Sequence, residues 1–280
     1  MLDKDRVRHL EEEVERLRRL LSERAGSLED ALKRRGYILW KKESDPDLIM
    51  PERDLKGFYE KMKRYSFRLF LRDVLKHQEG FVPEHLVRYS TLPVVEGYIN
   101  FLLKSGIVES LPAGLYALRR RHIKSFGPTL EWFIAELLRR EYLADVIWGA
   151  RFRNVKSGGD YDLLGLIEGR LVYAEIKSSP PKQIYDREIK AYLERSLELS
   201  PALSLFIIDT ELRMKDKIVY LFEQVLPGTP LGGMAVERFK DELFHIGGRI
   251  FIINSKDGLE SNIREVIGWY LKRSSSCPAA

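Results

Sequence analysis

The chain predicts an α/β fold: a central mixed β-sheet flanked by helices, preceded by a small helical domain with a β-hairpin and by an N-terminal coiled-coil helix. Three observations carry this expectation. Apolar residues near the N-terminus alternate at spacings of three and four; three helical stretches and a hairpin fill residues 56 to 118; and from Gly127 onward a helix, a strand, two strands joined by a tight turn, a helix and a strand follow in order. At 280 residues the chain is long enough to bury a core of that size.

In the first segment, Val7, Leu10, Val14, Leu17, Leu21 and Leu28 form an apolar seam interrupted at Arg24, which predicts one helix over residues 3 to 35 within a coiled-coil segment 1 to 36. A homodimer through this seam and packing on its own protein both satisfy it. The Pro- and Asp-rich break Glu43-Ser44-Asp45-Pro46-Asp47, followed by Pro51, ends the arm.

Within residues 56 to 118, a helix runs through Tyr65-Ser66-Phe67-Arg68-Leu69-Phe70-Leu71 to Lys76, a short helix begins at Pro83, and a third spans Leu92 to Lys104. Ile107-Val108-Glu109 and Leu115-Tyr116-Ala117-Leu118 then flank the turn Pro112-Ala113-Gly114 as a hairpin. Three helices and a hairpin in this order resemble a winged helix-turn-helix domain, whose third helix enters the DNA major groove. Here that helix offers Asn100 and Lys104 beside Glu96 and few other polar donors, so a protein-docking face is the alternative. The cluster Arg119-Arg120-Arg121-His122-Ile123-Lys124 follows directly, either to contact phosphates or as a solvated linker.

The formal charge is +5, and the stretch from Arg119 to Lys156 holds nine basic against four acidic residues. That local excess suits a phosphate-bearing partner. The single Cys277 excludes an internal disulfide and a thiolate cage, and the scattered histidines show no zinc-ligand spacing. No apolar run reaches the ~18 residues a membrane span requires, so a cytoplasmic location is expected.

Leu130, Phe133, Ile134, Leu137 and Leu138 give residues 128 to 142 an amphipathic helical pattern, with Glu131 at the margin of the apolar stripe and Glu136 opposite it. Asp145 to Phe152 reads as a strand, Asn154 to Gly159 as a loop, and Asp160 to Ile167 and Arg170 to Lys177 as strands joined by Glu168-Gly169. If Ile167 faces Arg170, Asp162 falls opposite Glu175 and Asp160 opposite Lys177, all on one face. Two facing carboxylates among Leu163, Leu164, Val172, Ala174 and Ile176 require compensation. A divalent cation supplies it; oxygen ligands alone favour Mg²⁺, with Mn²⁺ a substitute. Lys177 adds a positive group able to hold water or stabilise charge on a phosphate. The alternative is a structural salt-bridge trio. Asp160 is a second candidate ligand or a partner of Lys177.

Gly158-Gly159-Asp160-Tyr161-Asp162-Leu163-Leu164 followed by Ala174-Glu175-Ile176-Lys177-Ser178-Ser179 resembles the signature of the PD-(D/E)xK nuclease superfamily, the restriction-endonuclease-like fold. Gly127-Pro128-Thr129-Leu130-Glu131 is similar to the start of its first core helix, and Tyr161 stands where the superfamily's name places a proline. The resemblance continues through a helix at 183 to 199 and the strand Leu203 to Asp209, within a domain spanning 119 to 272. It implies hydrolysis of phosphodiesters in duplex or branched DNA, with Asp162 and Glu175 holding the metal, Glu131 assisting and Lys177 positioning the nucleophile. Gln183, Arg187 and Lys190 are candidates for touching the substrate backbone. A nuclease fold kept as a DNA-binding scaffold is the competing reading, and RNA a competing substrate. Lys217 to Phe222 and Arg249 to Asn254 read as strands, Leu259 to Leu271 as a closing helix, and 273 to 280 as a disordered tail.

Overall fold

The computed structural model describes residues 4–43, 48 and 50–275. The side chain of Leu21, residues 44–47 of the Pro- and Asp-rich break, and Cys277 lie outside the described residues.

The N-terminal helix α1 (Lys4–Ala25) carries the apolar seam to solvent, with Val7, Leu10, Val14 and Leu17 all exposed. It does not continue to residue 35. Gly26, at φ +73°, breaks it, and Ser27 caps a separate helix α2 (Leu28–Arg34) by accepting the Asp30 N–H. The Asp145 carboxylate accepts the Leu28 N–H at 2.6 Å, so α2 is pinned to the sheet, and Leu28 and Leu32 are buried there. Leu28 therefore belongs to the core rather than to the seam.

A short strand β1 (Leu39–Lys41) precedes helices α3 (Glu52–Met62) and α4 (Tyr65–Lys76), a 3₁₀ turn at Pro83–Leu86, and α5 (Leu92–Lys104). The hairpin β2 (Val108–Ser110) and β3 (Tyr116–Leu118) follows, and Phe81 bridges to Tyr116 through reciprocal hydrogen bonds of 2.8 and 2.9 Å. The expected order of helices and hairpin is present. This region shares its core with the rest of the chain: the rings of Phe58 and Trp132 lie 5.4 Å apart and those of Tyr59 and Phe133 5.7 Å.

Trp132 and Phe133 belong to α6 (Gly127–Tyr142), which leads into β4 (Asp145–Phe152), β5 (Tyr161–Ile167), β6 (Arg170–Lys177), α7 (Asp186–Leu199) and β7 (Leu203–Ile208). A π-helical turn at Lys215–Val219 then enters α8 (Tyr220–Val225). Here the expected strand at Lys217 to Phe222 is helical, because its buried residues Ile218, Val219, Leu221 and Phe222 form a helical stripe rather than an alternation. The chain ends with β8 (Val236–Lys240), β9 (Leu243–Ile246), β10 (Ile250–Ile253) and α9 (Leu259–Ser275), which takes residues 273–275 of the expected tail into a helix.

Eight strands form one mixed sheet in the order β1-β4-β5-β6-β7-β10-β9-β8, in which β6, β7 and β10 run parallel and the other pairings are antiparallel. One face packs on α6, α9 and the helical region through residues such as Leu163, Ala174 and Leu205. The other packs on α2, α7 and α8 through Leu164, Tyr173 and Phe206. No helix among the described residues is long and apolar enough to cross a membrane.

Candidate active site

The β5–β6 hairpin keeps the register expected from its turn, with Ile167 opposite Arg170 and Leu163 opposite Ala174. The paired ladder stops there. Asp162, next along, accepts the Ile176 N–H on its carboxylate at 2.7 Å, so its side chain takes the place of a backbone partner. Glu175 is 2% exposed and points into a group of donors. Lys177 Nζ donates to its Oε1 at 2.7 Å, Arg195 reaches both oxygens at 2.8 Å, and the Tyr173 hydroxyl donates to Oε2 at 2.5 Å.

Glu131 reaches the same place from α6. Its neighbours Leu130, Phe133, Ile134, Leu137 and Leu138 bury that side of the helix, while Glu136 is occupied by Arg139 and Arg140. Burial and the charges of Asp162 and Glu175 push the Glu131 carboxyl up to about 9. Burial and the charge of Glu175 raise Asp162 to about 7. Burial also acts to raise Glu175, but Lys177 and Arg195 outweigh it and hold this carboxyl below its usual value. For Lys177, burial is outweighed by Glu175 and Asp162, and the ammonium is held above its ordinary value. Glu131, Asp162 and Glu175 thus feel one another's charge, while only Glu175 is paired directly with the lysine and the buried guanidinium.

Asp160 does not pair with Lys177. It lies ahead of β5, forms an ion pair with Arg151 and accepts a 2.7 Å hydrogen bond from it. Lys177 is drawn instead to Glu175, two residues before it on the same face. Of the basic cluster, Arg121 is engaged by Glu79 at 3.3 Å and Glu109 at 3.4 Å, so it is not open to a phosphate as the structure stands. Arg119, Arg120 and Lys124 are exposed on the segment after β3. Asn100 and Lys104 are exposed on α5, as are Leu92 and Val94 toward its other end.

Arg195 has no counterpart among the residues expected from sequence. Its signal is positional: Ile189, Tyr192, Ser196 and Leu199 form the buried stripe of α7, and Arg195 lies within it. A second buried cluster was equally unforeseen. Arg68 of α4 donates to Asp209 at 2.8 and 3.0 Å, Ser255 donates to the same oxygen at 2.6 Å, and Arg72 pairs with the other oxygen. Asp209 follows β7, and its N–H bonds the Lys177 carbonyl at 2.9 Å.

The donors fit a hard cation in their chemistry, being oxygens whose mutual repulsion a positive charge would relieve. Their arrangement is less committed. Among the described residues no group of three His, Cys, Asp or Glu side chains is gathered so as to hold a metal; Asp162 accepts from Ile176, and Glu175 from Arg195, Lys177 and Tyr173.

No protein-family model matches the chain, and no curated protein matches it by sequence. Its fold is similar to the crystal structure of protein VC1899 from Vibrio cholerae, at 15% identity and a TM-score of 0.50, covering 82% of this chain and 58% of that one. The structure of Can2 from Sulfobacillus thermosulfidooxidans in complex with cyclic tetra-adenylate aligns at 13% identity and a TM-score of 0.45, covering 77% of this chain and 54% of that protein. The chain therefore spans little more than half the length of either structure. What the first likeness shows is the fold: a large mixed sheet flanked by helices.

Proposed function

We propose that the chain is a metal-dependent endonuclease of the PD-(D/E)xK type that hydrolyses phosphodiester bonds in duplex or branched DNA, in repair, recombination or defence. The observation that carries this reading is the pairing of Lys177 with Glu175 at 2.7 Å beside Asp162, with burial and the charges of the neighbouring carboxyls pushing Glu131 and Asp162 up to about 9 and about 7. Burying three carboxyls together works against the fold unless a cation or substrate chemistry uses them.

Asp162 and Glu175 would hold Mg²⁺, or Mn²⁺ in its place, with Glu131 assisting. Bound there, the cation would activate a water molecule and offset charge on the phosphate. Lys177, held above its ordinary pKa, keeps its proton and so serves as a donor to the attacking water or to a phosphate oxygen rather than as a base. Arg195 fixes Glu175 by gripping both its oxygens. In this reading the helices and hairpin of residues 56 to 118 act as a winged helix that delivers DNA, with Asn100 and Lys104 toward the groove and Arg119, Arg120 and Lys124 on phosphates. The exposed seam of α1 joins two copies.

A second reading, a catalytically silent DNA-binding or assembly scaffold, draws on one observation: both oxygens of Glu175 are already satisfied by protein donors. Cleavage of single-stranded, duplex, flapped and four-way-junction DNA and of RNA, with Mg²⁺, Mn²⁺ or EDTA, separates the two. Metal-dependent cutting by the wild type that is lost in Lys177→Ala is the expected result. Tight binding without cutting under any metal favours the scaffold.

A further inference from the structure

Beyond Lys177 the chain forms a groove that the cleavage chemistry does not use. Pro181, Lys182, Leu212, Arg213, Asp216 and Lys217 line a concavity of about 510 Å³. Its walls leave the sheet at the carboxyl ends of β6 and β7, where Lys177 and Ile208 are register partners. In open α/β sheets that end of the strands is where ligands bind.

Three features give the groove and its rim their chemistry. Tyr185, at the start of α7, lies outside the lining of the concavity and is joined to it by Lys217; it is 49% exposed, with the Arg187 guanidinium 5.4 Å and the Lys217 ammonium 6.0 Å from its ring centre. Its backbone is anchored by its N–H, which donates to Glu188 at 2.6 Å. Leu212 offers a second exposed apolar surface at 60%. The charges are also unequal. Residues 182 to 188 and 212 to 217 hold Lys182, Arg187, Arg213, Lys215 and Lys217 against Asp186, Glu188 and Asp216, of which Asp216 pairs with Arg213 at 4.0 Å. Among the described residues Lys182, Lys215 and Lys217 have no carboxylate partner. Lys215 and Lys217 lie on the π-helical turn, an irregularity frequent at functional sites.

An exposed aromatic ring with Arg187 and Lys217 against it, beside a groove carrying Lys182, matches an unpaired nucleotide, whose base stacks on the ring while flanking phosphates meet the cations. A duplex presents phosphates alone and gains nothing from Tyr185. We propose that this groove is a subsite for a single-stranded nucleic-acid segment running past the active site, with one base on Tyr185 and its phosphates on Lys182 and Lys217. This rests on the nuclease reading only for its role in guiding the scissile strand; the binding itself is independent of cleavage.

The test is fluorescence anisotropy of the full chain in EDTA, with oligothymidylate and oligouridylate of about 12 nucleotides and a duplex of equal length. Tyr185→Ala should weaken single-strand binding by about tenfold or more while leaving duplex binding within about twofold. Tyr185→Phe should keep wild-type affinity, and the two single-stranded probes report whether DNA or RNA is preferred. Replacing Lys182 and Lys217 with Ala should flatten the salt dependence by roughly 0.7 for each phosphate left without its cation. No single-strand binding by the wild type, unchanged affinity in Tyr185→Ala, or equal loss on both single strand and duplex would overturn the subsite. Tyr185-dependent binding by a protein that cuts nothing leaves the subsite and removes the nuclease; cutting with Tyr185-independent binding does the reverse.

Discussion

Arg68 and Asp209 meet at 2.8 Å with neither side chain exposed, joining α4 to the residue whose N–H holds the Lys177 carbonyl. Arg68 also donates to the Met62 carbonyl at 2.6 Å and to that of Lys63 at 3.1 Å, so its charge is fully enclosed by partners. Asp209→Asn would leave two guanidiniums facing a neutral amide. It should destabilise the protein by roughly 3–5 kcal/mol, the usual consequence of removing one member of a buried pair. Urea unfolding measures this, and a loss well under 1 kcal/mol would show the pair to be dispensable.

The same pair contributes to the acid sensitivity of the fold. Burial acts to raise the Asp209 carboxyl, but Arg68 and Arg72 outweigh it and hold it below its ordinary value. A lowered carboxyl stabilises the fold above its unfolded pKa of about 3.9, and that stability is lost as pH falls through the lower folded value. Wild type should show this loss below about pH 4, and Asp209→Asn should show less of it, the remainder coming from lowered carboxyls such as Glu175.

Lys177→Ala should reduce the single-turnover cleavage rate by about a hundredfold or more, as removal of a positioned donor does. Glu175 keeps Arg195 and Tyr173, so the fold should survive. Undiminished cleavage by a folded variant would remove Lys177 from the reaction.

Asp162 and Glu131 are shifted upward, so the sign is opposite to that of Asp209. The folded state holds more protons than the unfolded one between about pH 4 and the raised values, and stability falls as pH rises through that window. Asp162→Asn should abolish cleavage and, in EDTA, raise the melting temperature at pH 8 more than at pH 5. A variant that melts lower at pH 8 would point to a salt-bridge role instead.

Arg195→Met leaves buried Glu175 with only Lys177 and Tyr173. In EDTA the loss of a buried partner should cost about 3 kcal/mol or more. Under the nuclease reading, Mg²⁺ should restore more stability to this variant than it adds to wild type, because the cation replaces the missing charge. A melting temperature indifferent to Mg²⁺ and Mn²⁺ supports the scaffold.

Deleting residues 1 to 25 tests the seam without touching α2, whose Leu28 and Leu32 are buried in the core. Sedimentation should report a monomer from the shortened chain and a dimer from the full one. An unchanged mass rejects dimerisation through α1.

The central hairpin was legible because its pattern is local. The turn Glu168-Gly169, both at positive φ, fixes the register as far as Leu163 opposite Ala174. Beyond it the expected facing of Asp162 with Glu175 and of Asp160 with Lys177 is not part of the ladder, and Asp162 bonds Ile176 while Asp160 bonds Arg151. Glu131 was legible from its place on the helical wheel. The single N-terminal helix failed at Gly26, where local backbone freedom and the distant Asp145 outweigh a continuous apolar pattern. Strands β8 and β9 escaped notice because Val236 to Lys240 is edge strand, only partly buried and rich in charge. Arg68 and Asp209 are paired across 141 residues, and Arg195 and Glu175 across 20. Such pairings are properties of the packed fold and leave no periodic trace.

The aromatic contacts of Phe58 and Tyr59 with Trp132 and Phe133 bear on how the chain behaves when it is cut or inherited. A segment that shares its interior with a neighbour is not a portable module. Separating residues 56 to 118 from the sheet would strip both pieces of a wall and leave each sticky, so the two regions should melt together as one cooperative unit. They should also change together over generations, each substitution on one side narrowing what the other side can accept.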